Sequence, residues 1–372
     1  MNVRGGMRDY LYNLLKGSDL SFRDFVELAL YHPDFGYYSQ QRSPVGRDAD
    51  YVTSPAVSDV FAFALGRLVR EFVGRMGDGL SSIVDVGCGD GSLIRALAAI
   101  GGDARARFFG VDRSLERIAD GADVGFVRTI DELPRDGAHL LISNELFDAQ
   151  PFARLVQRGD ELHELWVAER HSDDGVSLDW TEHEAEFAYA DYFAARAIEL
   201  LDGQFADVSL EWSALYDDLA RLVDHGLIVT FDYGFRQKQL FDPRIRRFGT
   251  AAAYSHQRVT RDLLANPGEQ DLTAHINFDD LIRAGEARGF RTLFFDRQAK
   301  FLLAVGITEH PLFAPSTELE VASLDEGVAL LDERDAARRL VLPDGIGEDI
   351  RVLVQGKGVQ AEGWSFGRKL FG

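Results

Sequence analysis

The chain has 372 residues, a formal net charge of −21 at pH 7 and one cysteine. This length exceeds that of a usual single-domain core, so we expect a core domain with large insertions or a second lobe. The negative charge argues against a nucleic-acid binder, which needs a basic face, and a single cysteine excludes an intrachain disulfide and a thiolate metal cluster.

The cellular location is predicted from features that the sequence lacks. No apolar run approaches the length of a membrane span. The first residues contain no apolar signal core, and Asp9 argues against a transit peptide. We therefore expect a cytoplasmic protein, and nothing in the sequence indicates a metal site.

Residues 1–78 are predicted to form a helical cap. Ser21 can cap a helix, because its hydroxyl can accept a hydrogen bond from a backbone N–H of the first turn. Two turn-rich segments follow at 36–38 and 50–55, and the apolar spacing over 57–68 predicts another helix.

A glycine-rich turn follows the first predicted strand, at 83–86. Its glycines occupy alternate positions and an amphipathic pattern begins after them, so we expect a strand, a tight loop and a helix start. Such a loop lets a ligand approach the backbone at a helix N-terminus, as in nucleotide sites. Ser92 stands where the dinucleotide fingerprint needs its third glycine, so a pyrophosphate ligand is not favoured.

The glycine spacing resembles motif I of class I S-adenosylmethionine methyltransferases, in which this loop wraps the amino-acid part of the cofactor. The resemblance implies that S-adenosylmethionine is the cofactor. It also implies cofactor contacts by the acid and the glycines of the motif, which are Asp85, Gly87, Gly89 and Gly91.

A second acid supports a nucleotide cofactor. Asp112 follows the next predicted strand, at 108–111. It stands about 20 residues after the loop, where an acid accepts hydrogen bonds from ribose hydroxyls in nucleotide-binding α/β folds. The alternative is that Asp112 is the N-cap of a helix that begins at Ser114.

Polar side chains stand at the end of another predicted strand. Strands are predicted at 124–127 and 138–143, and the second runs directly into Asn144, Glu145 and, after a short turn, Asp148. Ligands of open α/β sheets bind outside the carboxyl ends of the strands, so we expect these side chains near the reacting groups. Alternatively, Asn144 and Asp148 shape the turn and Glu145 caps a helix.

Methyl transfer needs an acceptor lone pair in line with the leaving sulfur, so positioning is the largest requirement, followed by removal of a proton. A carboxylate can hold a guanidinium through two hydrogen bonds and orient one nitrogen. We assign that role to Glu145, supported by the amide oxygen of Asn144 and a second carboxylate from Asp148. Asn144 is also a candidate cofactor contact.

Residues 152–225 interrupt the expected alternation of helix and strand. The pattern over 155–167 alternates on both sides of a Gly-Asp turn and predicts a hairpin, to which 176–180 can add a strand. Helices are predicted over 187–201 and 210–223. We therefore expect an inserted accessory lobe that forms part of the acceptor site.

The fifth core strand is predicted at 226–234, and a long irregular insertion follows it. A long loop in a compact domain favours a functional role. His275 near its end is the candidate general base, since an unperturbed imidazole titrates near physiological pH. The alternative is that His275 and Asp271 brace the loop before a helix at 279–288.

The rest of the chain is predicted as a strand at 290–295, a helical stretch at 301–340 and a last strand at 350–356. The expected domain boundaries follow from these elements. They are a cap at 1–78, a core at 79–151 and 226–356, an accessory lobe at 152–225 and a C-terminal tail at 357–372.

Four parts of the chain resemble the MidA family of class I S-adenosylmethionine-dependent methyltransferases. They are 36–38 with 50–55, 144–151, the strand end Asp-Tyr-Gly at 232–234, and 266–278. The resemblance implies an α/β fold, namely a Rossmann-like class I methyltransferase sheet with its last strand antiparallel, an N-terminal helical region and a large inserted accessory lobe. It also implies that four residues lie against the cofactor pocket, which are Tyr38, Thr53, Ser54 and Pro55.

The chain departs from the family pattern at Ala49, Leu146 and Asn277, and at residues 251–253. The last departure bears on the acceptor, because the family tends to carry a bulkier and often basic sequence there. The three alanines of this chain therefore leave the identity of the acceptor open.

The resemblance implies a methyl acceptor as well. The family includes a mitochondrial complex I assembly factor that methylates a protein arginine, so the first hypothesis is a protein arginine on an assembly partner, such as a respiratory-complex subunit. The departure at 251–253 favours the alternative, a small-molecule O- or N-methyltransferase. A third hypothesis is an assembly chaperone that binds the cofactor without turnover. The acceptor atom and the oligomeric state, a homodimer included, stay open.

Overall fold

The computed structural model describes residues 6–39, 59–115, 118, 123–173, 175–255, 258–314, 324–342 and 345–367. Thr53, Ser54 and Pro55, for which the family resemblance implies cofactor contacts, lie outside these ranges.

The elements are numbered in chain order. The strands are β1 (Leu20–Ser21), β2 (Ser81–Val86), β3 (Ala106–Val111), β4 (Val124–Val127), β5 (Ala138–Asn144), β6 (Ala153–Arg158), β7 (Glu161–Ser172), β8 (Gly175–Glu184), β9 (Phe205–Val208), β10 (Gly226–Phe235), β11 (Ala252–Ser255), β12 (Arg258–Thr260), β13 (Asp271–Thr273), β14 (Ile276–Asn277), β15 (Arg291–Arg297) and β16 (Ile350–Lys357). The helices are α1 (Met7–Leu15), α2 (Phe22–Tyr31), α3 (Asp59–Arg75), α4 (Ser92–Gly101), α5 (Phe187–Ala195), α6 (Glu211–Leu222), α7 (Gln237–Leu240), α8 (Pro243–Arg246), α9 (Phe278–Ala287), α10 (Gln298–Ala304), α11 (Leu324–Arg339) and α12 (Ile346–Asp349).

The central sheet has the strand order β15-β16-β10-β5-β2-β3-β4, with β14 beside β10. The five strands from β10 to β4 are mutually parallel. The last strand, β16, is antiparallel to both of its neighbours, β10 and β15. The predicted α/β sheet with an antiparallel last strand is confirmed.

Helices cover both faces of this sheet. All six residues of β2 are buried, as expected for a strand that is covered on both sides. Apolar residues of α3, α4 and α10 pack on one face and those of α6 and α9 on the other. The parallel strands therefore present their carboxyl ends at one open edge, where loops can form a site.

Helix α6 belongs to this core rather than to the accessory lobe, where the sequence pattern places it. Trp212, Tyr216 and Leu219 are fully buried and share an apolar cluster with residues of β2 and β10. The boundary at residue 225 was predicted from the order of the elements along the chain. The position of α6 is instead set by its apolar face, which packs on the core.

A second sheet forms the accessory lobe. β7 pairs with β6 and with β8, as the predicted hairpin and added strand require. Two strands were not expected, β9 and the N-terminal β1, and both also join this sheet. They have four and two residues, which is too short for a periodic pattern to reveal.

Two predicted helices are shorter in the structure. The helix predicted over 187–201 ends at Ala195, shortly before Ala197 takes a positive φ of 50°. The helical stretch predicted over 301–340 is divided: α10 ends at Ala304 and α11 begins at Leu324, with short 3-10 turns at 307–309 and 311–313 between them.

The N-terminal helices connect the lobe with the insertion after β10. The Ser21 hydroxyl accepts a hydrogen bond from the backbone N–H of Asp24 at 3.1 Å, so the predicted cap of α2 is confirmed. Buried residues of α1 and α2 pack in one cluster with Phe152, Val167 and Leu272. The cap is therefore packed beside β6, β7 and β13.

Candidate cofactor and acceptor site

The described residues leave the glycine-rich loop between β2 and α4 open on one side. Gly87, Gly89 and Gly91 have φ of 75°, 57° and 75°, a conformation that glycine adopts without strain. A Cβ placed on Gly89 would meet no atom of the described residues within 4 Å. The loop can therefore receive a ligand directly against its backbone, as expected for motif I.

Asp112 is oriented by this loop. Its Oδ2 accepts the backbone N–H of Gly89 at 3.0 Å and its Oδ1 accepts that of Ser114 at 2.9 Å. The hydrogen bond to the Ser114 N–H is the one that the capping hypothesis for Asp112 requires. A carboxylate has about four acceptor positions, so Asp112 keeps capacity for ribose hydroxyls, and that role stays a prediction.

Asp85 lies beneath the loop rather than at its surface, since its side chain is buried at the end of β2. Burial, followed by the charges of Asp112 and Asp90, raises the pKa of Asp85 to about 7. A neutral carboxyl is therefore substantially populated near neutral pH.

The polar segment after β5 packs against the same loop. A Cβ on Gly87 would lie 2.9 Å from Leu146 Cδ1, so a larger residue at 87 would force the Leu146 side chain to shift. Asn144 donates from Nδ2 to Glu145 Oε1 at 3.2 Å. Glu145 has a φ of 53°, a left-handed conformation that is rare outside glycine and strained for an L-residue.

These residues fit S-adenosylmethionine. Asn144 Oδ1 is buried and accepts no hydrogen bond from the part of the chain that the structure describes. Leaving a buried acceptor unpaired costs roughly 1–3 kcal/mol, so this atom marks a place for a donor. The amino-acid part of the cofactor carries such a donor, its ammonium group.

Three further carboxylates stand behind this segment: Asp148, Asp232 and Asp271, all nearly or fully buried. Burial and the charges of Asp232 and Asp271 raise the pKa of Asp148 well above its usual range. Burial also raises the pKa of Asp232, but the backbone amides of Phe147, Tyr233 and Asp148 donate to it and oppose that rise. Backbone hydrogen bonds likewise oppose the rise in the pKa of Asp148.

The structure places Tyr38 with these carboxylates. Its hydroxyl donates to Asp271, and its ring stacks on Tyr31 with 5.5 Å between the centroids. The Tyr31 hydroxyl in turn donates to the carbonyl of Ala149 at 2.7 Å. The N-terminal cap thus reaches the segment after β5, while a cofactor contact by Tyr38 stays a prediction.

His275 has a different set of neighbours. Its ring lies 5.5 Å from that of Phe235 and 6.2 Å from that of Tyr233, between centroids. Burial and the charges of Arg246 and Arg351 lower the pKa of His275 to about 4. Its Nδ1 is buried and has no hydrogen-bond partner among the described residues.

The loop that carries His275 is braced mainly through backbone atoms. The His275 N–H donates to Thr250 Oγ1 at 3.1 Å, and the Ala274 N–H donates to the Asp148 carbonyl at 3.3 Å. Asp271 contributes to this bracing through Tyr38. Both the catalytic and the bracing hypotheses for His275 stay predictions.

Sequence reasoning assigned no role to Asp232 or to Tyr31. The rule that selected Asn144 and Glu145, polar residues at the carboxyl end of a core strand, applies equally to Asp232 near the end of β10. Tyr31 has no comparable signal, because its contact with residue 149 depends on how the cap packs.

Within the described ranges, no helix is both long and apolar enough to span a membrane. The same residues contain no group of three or more His, Cys, Asp or Glu side chains arranged to hold a metal ion.

Comparison with known sequences identifies relatives of this chain. A family model described as "Putative S-adenosyl-L-methionine-dependent methyltransferase" matches residues 64–295. The protein arginine methyltransferase NDUFAF7 homolog of Drosophila melanogaster is 25% identical over 324 residues, which are 74% of this chain and 69% of that protein. The homolog of the same name from Caenorhabditis elegans is 23% identical over 341 residues, 79% of this chain and 74% of that protein.

Solved structures share the fold. A Burkholderia thailandensis protein bound to S-adenosyl-homocysteine is similar with a TM-score of 0.80 and 24% identity, over 95% of this chain and 92% of its own. A second crystal structure from that organism has a TM-score of 0.77 and 25% identity, over 97% of this chain and 93% of its own.

These comparisons correct one prediction. Both NDUFAF7 homologs are named as mitochondrial proteins, which conflicts with the cytoplasmic location expected from the N-terminal sequence. That prediction is wrong, because it depended only on the absence of a recognisable leader pattern.

The family model covers more than half of the chain, and the glycine-rich loop and the strand order agree with it, as does the Asn144 oxygen that has no partner among the described residues. The chain belongs to this MidA-type family and is a class I methyltransferase that uses S-adenosylmethionine as its cofactor.

Proposed function

We propose that this methyltransferase transfers the methyl group to a guanidinium nitrogen of an arginine in a protein partner. Two relatives that match about three quarters of the chain are named protein arginine methyltransferases. The observation that carries the proposal is the Glu145 carboxylate, which follows β5 beside the cofactor loop.

Exposure distinguishes Glu145 from the other carboxylates of the site. Glu145 is half-buried, whereas Asp148 is 3% exposed and Asp232 is fully buried. An acceptor from solvent can therefore reach Glu145 first. Its carboxylate can hold a guanidinium through two hydrogen bonds and orient one nitrogen, and Asp148 adds negative charge only while it is ionised.

When bound, S-adenosylmethionine supplies a methyl group on a cationic sulfur, which an acceptor lone pair can attack in line. Asn144 would hold the cofactor's donor through Oδ1 while its Nδ2 stays on Glu145. One side chain would thus set the spacing between the cofactor and the acceptor. His275 is neutral at pH 7 and can accept a proton, but a pKa of about 4 makes it a weak base.

Two of the three alanines at 251–253 give no support to a small-molecule acceptor. Ala251 is 4% exposed and Ala253 is fully buried, in the apolar cluster of α1 and α2. These small side chains fill a core beneath the N-terminal cap. They therefore do not enlarge a pocket that a metabolite could enter.

The test is transfer of labelled methyl from S-adenosylmethionine to a lysate, with proteins and small molecules separated afterwards. We expect label in a protein, released as methylarginine on hydrolysis. Glu145→Gln should lower the rate by on the order of 100-fold and change cofactor affinity by less than about twofold. Glu286→Gln, at an exposed position of α9, is the matched control and should keep the rate.

Two outcomes would contradict the proposal. Label confined to small molecules would exclude a protein acceptor. Cofactor binding without any transfer would indicate a binding protein instead of an enzyme with this acceptor.

A further inference from the structure

Asp232 lies near the carboxyl end of β10 and is fully buried. Its Oδ2 accepts the backbone N–H of Phe147 at 2.8 Å. Its Oδ1 accepts those of Asp148 at 3.3 Å and Tyr233 at 2.9 Å. One buried carboxylate therefore connects β10 to the turn that carries Glu145 and Asp148.

The same stretch of β10 holds Glu145 itself. The Glu145 N–H donates to the carbonyl of Phe231 at 2.9 Å, and Phe231 stands opposite Asn144 in the parallel register of β5 and β10. Consecutive residues of β10 thus hold residues 145, 147 and 148 of the neighbouring segment. These bonds surround the strained backbone of Glu145, whose φ is 53°.

Strained backbone persists only where the surrounding structure over-determines it, and it occurs often at functional sites. Without Asp232, residues 147 and 148 would lose two of the hydrogen bonds that hold them, and Glu145 could relax to a negative φ. Its carboxylate would then be displaced relative to the cofactor loop.

We propose that Asp232 is a positioning residue for methyl transfer, which acts through Glu145 by fixing the turn in its left-handed conformation. The proposal rests on the role of Glu145 given under Proposed function. Asp232 itself is buried beneath the turn and is not assigned any contact with the acceptor.

A carboxylate suits this role better than an amide of the same size. Three backbone N–H groups converge on two oxygens, and each oxygen can accept more than one of them. In Asp232→Asn, one oxygen becomes an NH₂ group that cannot accept. At least one backbone N–H would then face another donor, with almost no change in volume.

The experiment is a double-mutant cycle of Asp232→Asn and Glu145→Gln. It measures initial rates of label transfer at saturating S-adenosylmethionine, in the lysate fraction that takes label with the wild-type chain. We expect Asp232→Asn alone to lower the apparent kcat by about 30-fold, with cofactor affinity within about twofold. In the Glu145→Gln background it should lower the rate further by less than about twofold, because both changes remove the same effect.

Asp280→Asn is the matched control for loss of a buried carboxylate. Asp280 is 2% exposed and accepts hydrogen bonds from Tyr192 at 2.7 Å and Arg196 at 2.6 Å, on α9. The Asp280→Asn variant should have a lower Tm than the wild-type chain and the same kcat. A fall in Tm with unchanged kcat for Asp232→Asn, or rate losses that multiply in the double variant, would overturn the positioning role. Wild-type rates for Glu145→Gln would instead overturn the proposed function of Glu145.

A second pair of variants serves if Asp232→Asn does not fold. Glycine adopts a φ near 53° without strain, so Glu145→Gly should restore folding when it is combined with Asp232→Asn. Recovery of a cooperative thermal transition supports the proposal. A double variant that stays unfolded would show that Asp232 supports the core in general and would overturn it.

Discussion

The hydroxyl of Tyr38 lies 3.0 Å from each carboxylate oxygen of Asp271, although 233 positions separate them in the chain. This contact joins the N-terminal cap to the insertion after β10, and both segments border the turn that carries Glu145. The cap is thus part of the wall of the site.

Tyr38→Phe should lower the free energy of unfolding by about 2 kcal/mol, because a partly buried hydrogen bond to a carboxylate is lost. Denaturant titration measures this change. Tyr12→Phe is the control: its hydroxyl donates to the Val176 carbonyl at an exposed position, where the loss should be about 0.5 kcal/mol. Equal losses in the two variants would contradict a special role for the contact with Asp271.

Gly89→Ala should weaken S-adenosylmethionine binding by at least about tenfold, since a methyl group would enter the open face of the loop. Gly159→Ala is a matched control, because Gly159 has a φ of 56°, like the 57° of Gly89, and is also free of neighbours within 4 Å. Both variants should lose about 1 kcal/mol of stability from backbone strain. Calorimetric titration with the cofactor distinguishes them, and equal affinities would contradict the assignment of the loop.

The imidazole of His275 should titrate near pH 4 in the native protein. The unfolded state, with an ordinary pKa of about 6.5, binds more protons between these values, so stability falls as the pH is lowered from about 6.5 towards 4, by up to about 3 kcal/mol. NMR titration, with His275→Gln to identify the signal, measures the native pKa. A midpoint between pH 6 and 7 would contradict the burial described above.

Asp85 should show the opposite pH dependence. Its native pKa of about 7 lies above the ordinary value of 3.8, so the native state binds the proton more tightly and stability is lost as the pH rises from about 4 through 7. The upper limit of this loss is about 4 kcal/mol. In Asp85→Asn that part of the dependence should disappear, whereas Asp90→Asn, at an exposed position, should retain it. Unfolding measured across this pH range tests both variants.

Local sequence patterns determined the core of this protein. The apolar run at 83–86 with its alternating glycines predicts the strand, the loop and the start of α4, because glycine adopts a positive φ without strain. Asn144 and Glu145 were located by their place after a buried strand, since parallel strands open at their carboxyl ends. These features depend on residues that are close together in the chain, so the local sequence is sufficient to predict them.

Only the tertiary structure decided which distant residues meet. Asp232 bonds to residues 147 and 148, and Tyr38 contacts Asp271, in each case across a long stretch of chain. The burial that lowers the pKa of His275 likewise depends on how separate segments pack. The packing of α6 on the core, despite its place next to the accessory lobe in the chain, is of the same kind. Burial and long-range hydrogen bonds arise from packing, and no spacing within a single segment encodes them.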